Sequence, residues 1–204
     1  MKTNTLKTNA LQRNSFTRFV LKNARVNIPI TLLLLATSLP VFAQHNATPE
    51  QKARRPSPPA TAQCKFSDGK TITVDYSQPS TKGRRIYGGL VPYDQVWRTG
   101  ANEATTFVTT ADVEINGAAV PAGSYTLYTL PSANAWKLII SKKTGQWGIP
   151  YPGDQFDLAR VDMKTEPLQS PVEKFTISFD QTGKSCTLRL DWENTRVSAD
   201  IQEK

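Results

Sequence analysis

The sequence predicts an all-β fold: a single antiparallel β-sandwich or flattened barrel of about eight or nine strands. Three observations predict it. Apolar residues recur at every second position in short runs, turn dipeptides separate those runs, and no helical periodicity persists over three turns after Cys64. Cysteine and histidine usage narrows the chemistry further. The chain has one histidine, His45, and two cysteines among 204 residues. Histidine-based triads, histidine metal sites and histidine general bases therefore have no support in a folded region.

Taken in order, the first segment reads as an export signal. Residues 1–43 carry Lys2, Lys7, Arg13, Arg18, Lys22 and Arg25 and no acid, then an apolar run from Ile28 to Leu39 and the ending Val41-Phe42-Ala43. This cationic start, short apolar middle and small-residue cut site predict cleavage after Ala43. The run falls short of the ~20 apolar residues that span a bilayer, so no stable membrane span is expected after cleavage. The mature chain is expected outside the cytoplasm, periplasmic or secreted. The formal charge of +8 mostly belongs to that leader. From Cys64 onward 16 basic residues face 16 acidic ones, which removes the electrostatic argument for nucleic acid as a partner.

Residues 44–63, with four prolines and almost no large apolar side chain, predict a disordered Pro-rich linker. The β domain is then expected over 64–204. Its rows are Ile72, Val74 and Tyr76 after the Asp68-Gly69 turn; the segment 105–109; Val113 and Ile115 running into Asn116-Gly117; and Tyr125 to Leu130 after Gly123. Further rows are Trp136, Leu138 and Ile140; Ala159, Val161 and Met163; Phe175, Ile177 and Phe179; Cys186, Leu188, Leu190 and Trp192; and Val197, Ala199 and Ile201. Cys64 is in phase with Phe66, and Cys186 with Leu188, so both thiols face the core. In an exported chain that placement suggests a disulfide, the alternative being two buried thiols.

Two stretches break the alternation, residues 84–103 and 142–157, both rich in aromatics, glycine and proline. Such loops are either functional or packed as caps over the strand ends. The ligand-binding candidates within them are Arg85, Tyr87, Trp97, Arg98, Asn102, Trp147 and Tyr151, because flat apolar rings beside Arg and Asn donors suit sugars, peptides or aromatic acids. Arg98 could grip a carboxylate or phosphate, or instead pair internally with Glu103 or Asp94. Glu103 and Asp94 are the weak catalytic candidates for a carboxylate-dependent hydrolase acting on envelope or plant polymers.

Several of these residues also carry a resemblance. Val74-Asp75-Tyr76-Ser77, Lys82-Gly83-Arg84, Ile86-Tyr87-Gly88, Leu90-Val91-Pro92-Tyr93, Val96-Trp97-Arg98-Thr99-Gly100-Ala101-Asn102, Gln146-Trp147-Gly148 and Trp192-Glu193-Asn194-Thr195-Arg196-Val197 look like the signature of the domain of unknown function 2911 family of exported bacterial proteins. The resemblance covers nearly all of residues 70–201 and implies export, but carries no reaction, cofactor or catalytic residue with it.

Three functions follow as expectations. The first is a non-enzymatic binding module whose partner is a small molecule, a glycan or an envelope protein. The second is the hydrolase, and the third a scaffold role in the envelope. No cofactor or metal is expected, since phosphate loops and paired CxxC motifs are missing from the sequence.

Overall fold

The computed structural model describes residues 47–204; the expected signal segment, 1–43, lies outside them. The fold is the expected all-β one. Nine strands form one open antiparallel sheet: β1 (Pro59–Lys65), β2 (Thr71–Ser77), β3 (Thr105–Thr109), β4 (Val113–Ile115), β5 (Ala118–Val120), β6 (Gly123–Pro131), β7 (Trp136–Ser141), β8 (Asp157–Thr182) and β9 (Ser185–Glu203). Their spatial order is β1-β2-β3-β6-β7-β8-β9-β4-β5.

The long strand β8 makes two layers out of this one sheet. Its start pairs with β7, from Ser141↔Asp157 to Trp136↔Met163. From Lys164 onward it pairs with β9, with register shifts between Pro167 and Val172 and between Val172 and Thr176. Bulges of this kind bend a strand without ending its ladder. The apolar rows expected as separate strands, 159–163 with 175–179 and 186–192 with 197–201, are therefore successive parts of two long strands. Where the layers face each other, Ile72, Val74, Phe107, Leu127, Leu138, Phe175, Leu188 and Trp192 make one buried core. A disulfide joins Cys64 on β1 to Cys186 on β9, Cα atoms 6.5 Å apart, in keeping with the inward phase of both residues. Nearby, the Ile177 amide donates to the Tyr76 hydroxyl at 2.9 Å, tying β2 to the far part of β8.

The expected disordered linker does not extend to residue 63. A short helix, α1 (Pro49–Ala53), is closed by a capping box: the Gln51 amide donates to Thr48 Oγ1 and the Thr48 amide to Gln51 Oε1. Pro49 sits in the first turn, where its missing N–H costs nothing. Pro59 then opens β1, pairing with Ser77. β1 is an edge strand, the position in a sheet that tolerates proline. Proline content argued for disorder, yet each of these prolines occupies a site that suits it.

One strand pair departs from simple alternation. Tyr125, Thr126, Leu127, Tyr128 and Thr129 are all buried on β6, as are Leu138, Ile139, Ile140 and Ser141 on β7. The inner face meets the main core. The outer face meets a second, small cluster of Ala104, Tyr128 and Ile139, packed by Val96, Leu130 and Tyr151. The two irregular loops supply that cover.

Candidate functional site

The first loop, residues 84–104, is pinned along its length. Tyr87 and Val91 form a parallel bridge around a tight turn. Gly88 has φ +75°, and a Cβ there would lie 2.7 Å from the Tyr93 ring, so the turn demands glycine. The loop then docks on β6: Trp97 N–H donates to Thr129 O at 2.7 Å and Thr129 N–H returns to Trp97 O at 3.0 Å. Asp94, Thr99 and Asn102 adopt positive φ, and side chains hold the resulting bends. Thr105 Oγ1 donates to Thr99 O at 2.6 Å and Trp97 Nε1 to Gly100 O at 3.2 Å.

The Trp97 ring sits among aromatics. It stacks on Trp192 at 5.9 Å between centroids and meets Phe175 and Tyr87 edge-on at 5.0 and 6.4 Å. These are the separations at which aromatic pairs attract. Tyr87 is only 6% exposed; burial, reinforced by the charges of Glu193 and Asp191, raises its hydroxyl well above the usual tyrosine range.

The second loop, residues 142–156, turns its tip outward while Tyr151 packs inward. Trp147 is 54% and Ile149 67% exposed. Two contacts fix it to the first loop. Ala104 N–H donates to Gln146 O at 3.0 Å, and Gly148, with φ +87°, brings its backbone against the Cβ atoms of Arg98 and Ala104. Tyr151 lies edge-on to Tyr128 at 5.2 Å. Its hydroxyl donates to Asp157, which also binds Arg160 at 2.7 Å, and burial together with that carboxylate raises the Tyr151 hydroxyl.

Between the loops lies a cavity of about 520 Å³, within the size range of small-molecule sites. Trp97 and Trp192 line it together with Val91, Pro92, Val96, Ile149 and Tyr151. Ser57 of the N-terminal segment also reaches it. Among the described residues its charged lining residues are Arg84 and Arg98, and no Asp or Glu lines it. Arg84 donates to the carbonyls of Thr81 and Ser80 at 2.9 and 2.7 Å. Arg98 lies with its guanidinium carbon 5.8 Å from the centre of the Trp147 ring. Its Nη1 is buried and has no hydrogen-bond partner among the described residues. Burial lowers the Arg98 pKa, against the opposing charge of Glu103.

The seven ligand-binding candidates thus divide. Trp97, Arg98 and Tyr151 line the cavity, and Trp147 flanks it through Arg98. Tyr87 belongs to the core, and Arg85 Nε turns to Tyr87 O at 3.3 Å. Asn102 Nδ2 donates to Ser57 O at 3.0 Å, holding the N-terminal segment in place. Of the two roles open to Arg98, the internal pairing with Glu103 or Asp94 does not form. Glu103 binds Arg55 at 2.6 Å and Lys52 at 3.9 Å, and the Arg55 hydrogen bond holds its carboxyl below the usual glutamate range. Asp94 is exposed, and its amide donates to Pro131 O at 2.8 Å. Neither acid lines the cavity, so the two do not form a facing pair around it.

Sequence reasoning missed Trp192, which reads as one more apolar position in a strand, and Ser57, which lies in the supposed linker. The proline and glycine around Trp147 announced a loop without revealing which face it would cover.

A family model described as Protein of unknown function (DUF2911) matches residues 57–201. The chain belongs to this family. The match starts within two residues of β1 and ends in β9, so the family unit is the whole sandwich, including the edge strand. No curated protein and no solved structure matches the chain.

Proposed function

We propose that this DUF2911 protein is an exported, non-enzymatic binding module that takes up a small molecule in the cavity between its two aromatic loops. The observation that carries this reading is the cavity itself: a space of about 520 Å³ with tryptophan walls and few polar groups, as small-molecule sites have. The leader-like residues 1–43 and the Cys64–Cys186 disulfide support a periplasmic or secreted location, because such bonds persist in oxidising compartments. Among the described residues no helix is long and apolar enough to cross a membrane.

Ala101 lines the cavity and is partly exposed, so Ala101→Phe fills the space from its edge. Ligand-observed NMR with a fragment library should yield binders to the parent that this variant loses while melting normally. Fragments that bind both proteins equally, or a library without binders, would overturn the reading in favour of a scaffold, a role also supported by the packing of Trp97 against Tyr87, Phe175 and Trp192. N-terminal sequencing of exported material should start at Gln44; an intact Met1 would refute export by cleavage.

A further inference from the structure

An arginine with an unpartnered donor at the edge of a largely apolar cavity specifies a ligand chemistry. Four carboxylates of the surrounding segments already have partners of their own. Glu103 is held by Arg55 and Lys52, Asp157 by Arg160 and Tyr151, and Asp191 by Arg196 at 2.6 Å. Glu173 takes the Thr81 hydroxyl and the Lys82 amide. Arg98 is left with a buried Nη1 that donates to nothing described. Such a donor costs free energy until it is paired, more so on a charged group.

We propose that the ligand is an aromatic or similarly apolar monocarboxylate, whose carboxylate pairs with the Arg98 guanidinium while its apolar body lies against Trp97, Val91 and Ile149 of the loops. This rests on the reading of the cavity as a binding site and adds the ligand class. A cation is disfavoured because two arginines and, among the described residues, no acid line the cavity. A phosphate group would call for several converging donors, whereas of the two arginines lining the cavity among the described residues Arg84 already serves two backbone carbonyls, which leaves Arg98. A sugar would need many hydrogen-bonding partners, and the Tyr151 hydroxyl is already engaged by Asp157 and Arg160. A planar carboxylate matches the fork of a guanidinium, and the half-buried Trp97 with the aliphatic side chains beside it accepts a flat apolar body.

The test uses three probes of one shape: indole-3-propionate, its methyl ester, and tryptamine. Titration calorimetry on the oxidised protein should give the carboxylate an affinity at least about tenfold above the ester, the worth of one charged hydrogen bond, and tryptamine the weakest. Arg98→Met keeps the stem over Gly148 and removes the charge; it should bind acid and ester alike, with the melting temperature of both proteins recorded as the folding control. Arg98→Lys, which keeps charge without the fork, should recover part of the preference. An ester that binds the parent as tightly as the acid, or an acid preference that survives Arg98→Met, overturns the ligand class while leaving cavity binding intact. None of the three binding, when other fragments distinguish the parent from Ala101→Phe, also overturns it. Loss of that distinction marks failure of the binding reading itself.

Discussion

The two loops share a composition and differ in what their aromatics do. In residues 84–104 the tryptophan and one tyrosine turn inward, so that Trp97 and Tyr87 complete a ring cluster with Trp136, Phe175 and Trp192. In residues 142–156 Trp147 and Ile149 stay out. The difference arises in the backbone. The first loop exchanges two hydrogen bonds with β6 at Thr129, which sets the direction of Trp97, while the second is tied to its neighbour mainly through Ala104 and Gly148. Richness in aromatics therefore marks a loop as packed or as presenting only once its hydrogen-bond partners are known.

Trp97→Ala should break the inward loop with the largest effect. It removes a ring that touches three others and should cost about 3 kcal/mol, as deletions of large core aromatics do. Urea denaturation of the disulfide-intact protein measures it. A loss below about 1 kcal/mol would place Trp97 with the presented aromatics and erase the contrast.

Gly148→Ala attacks the joint between the loops. The residue has φ +87°, and the added Cβ would fall 2.8 Å from Arg98 Cβ and 2.9 Å from Ala104 Cβ. Both the left-handed backbone and the crowding oppose it, for a loss of about 1–3 kcal/mol. Gly145→Ala is the comparator, because that glycine has φ +68° but nothing within 4 Å. It should lose less in the same melt. Equal losses would show that backbone conformation alone decides, and that the close approach to Arg98 adds nothing.

The sequence made the sandwich legible because period-two burial follows from strand geometry alone. Inward phase likewise identified Cys64 and Cys186. The site was legible only as a neighbourhood. Arg98 stood out by its company, but its neighbours alone left open whether it pairs internally: Glu103 is five positions away in the chain, yet Arg55, 48 positions from Glu103, binds it. That contact depends on a segment whose prolines suggested disorder. Trp192 gave no signal either, since a ring lining a cavity from a strand looks in sequence like any core residue.

The Arg55–Glu103 tie can be tested by acid. The Glu103 carboxyl titrates below its ordinary value of 4.5 in the folded chain, chiefly because Arg55 donates to it. Its contribution to stability is therefore complete above about pH 4.5 and is lost as pH falls through the lower folded value. Glu103 is 41% exposed and Arg55 21%, so solvent screening limits the effect to less than about 1 kcal/mol. Glu103→Gln should show a shallower decline in stability between pH 5 and pH 3 than the parent, within a range of about two pH units. Identical slopes would mean that the N-terminal segment is held by Asn102 and the β1 ladder without help from this pair.

The smallest expected effect belongs to Trp147, the outward counterpart of Trp97. Its ring stands beside the Arg98 guanidinium at 5.8 Å and is otherwise half in solvent. A cation–π contact at an exposed site contributes about 0.5–1 kcal/mol, and part of that returns when water replaces the ring. Trp147→Ala should therefore change stability by no more than about 0.5 kcal/mol. Binding should respond differently, because the ring covers one side of the guanidinium and shields any ion pair formed there from water. Indole-3-propionate should bind this variant more weakly than the parent while the thermal melts nearly overlay. A melt lowered as far as that of Trp97→Ala would show that Trp147 supports the fold, and the two loops would then differ in exposure without differing in role.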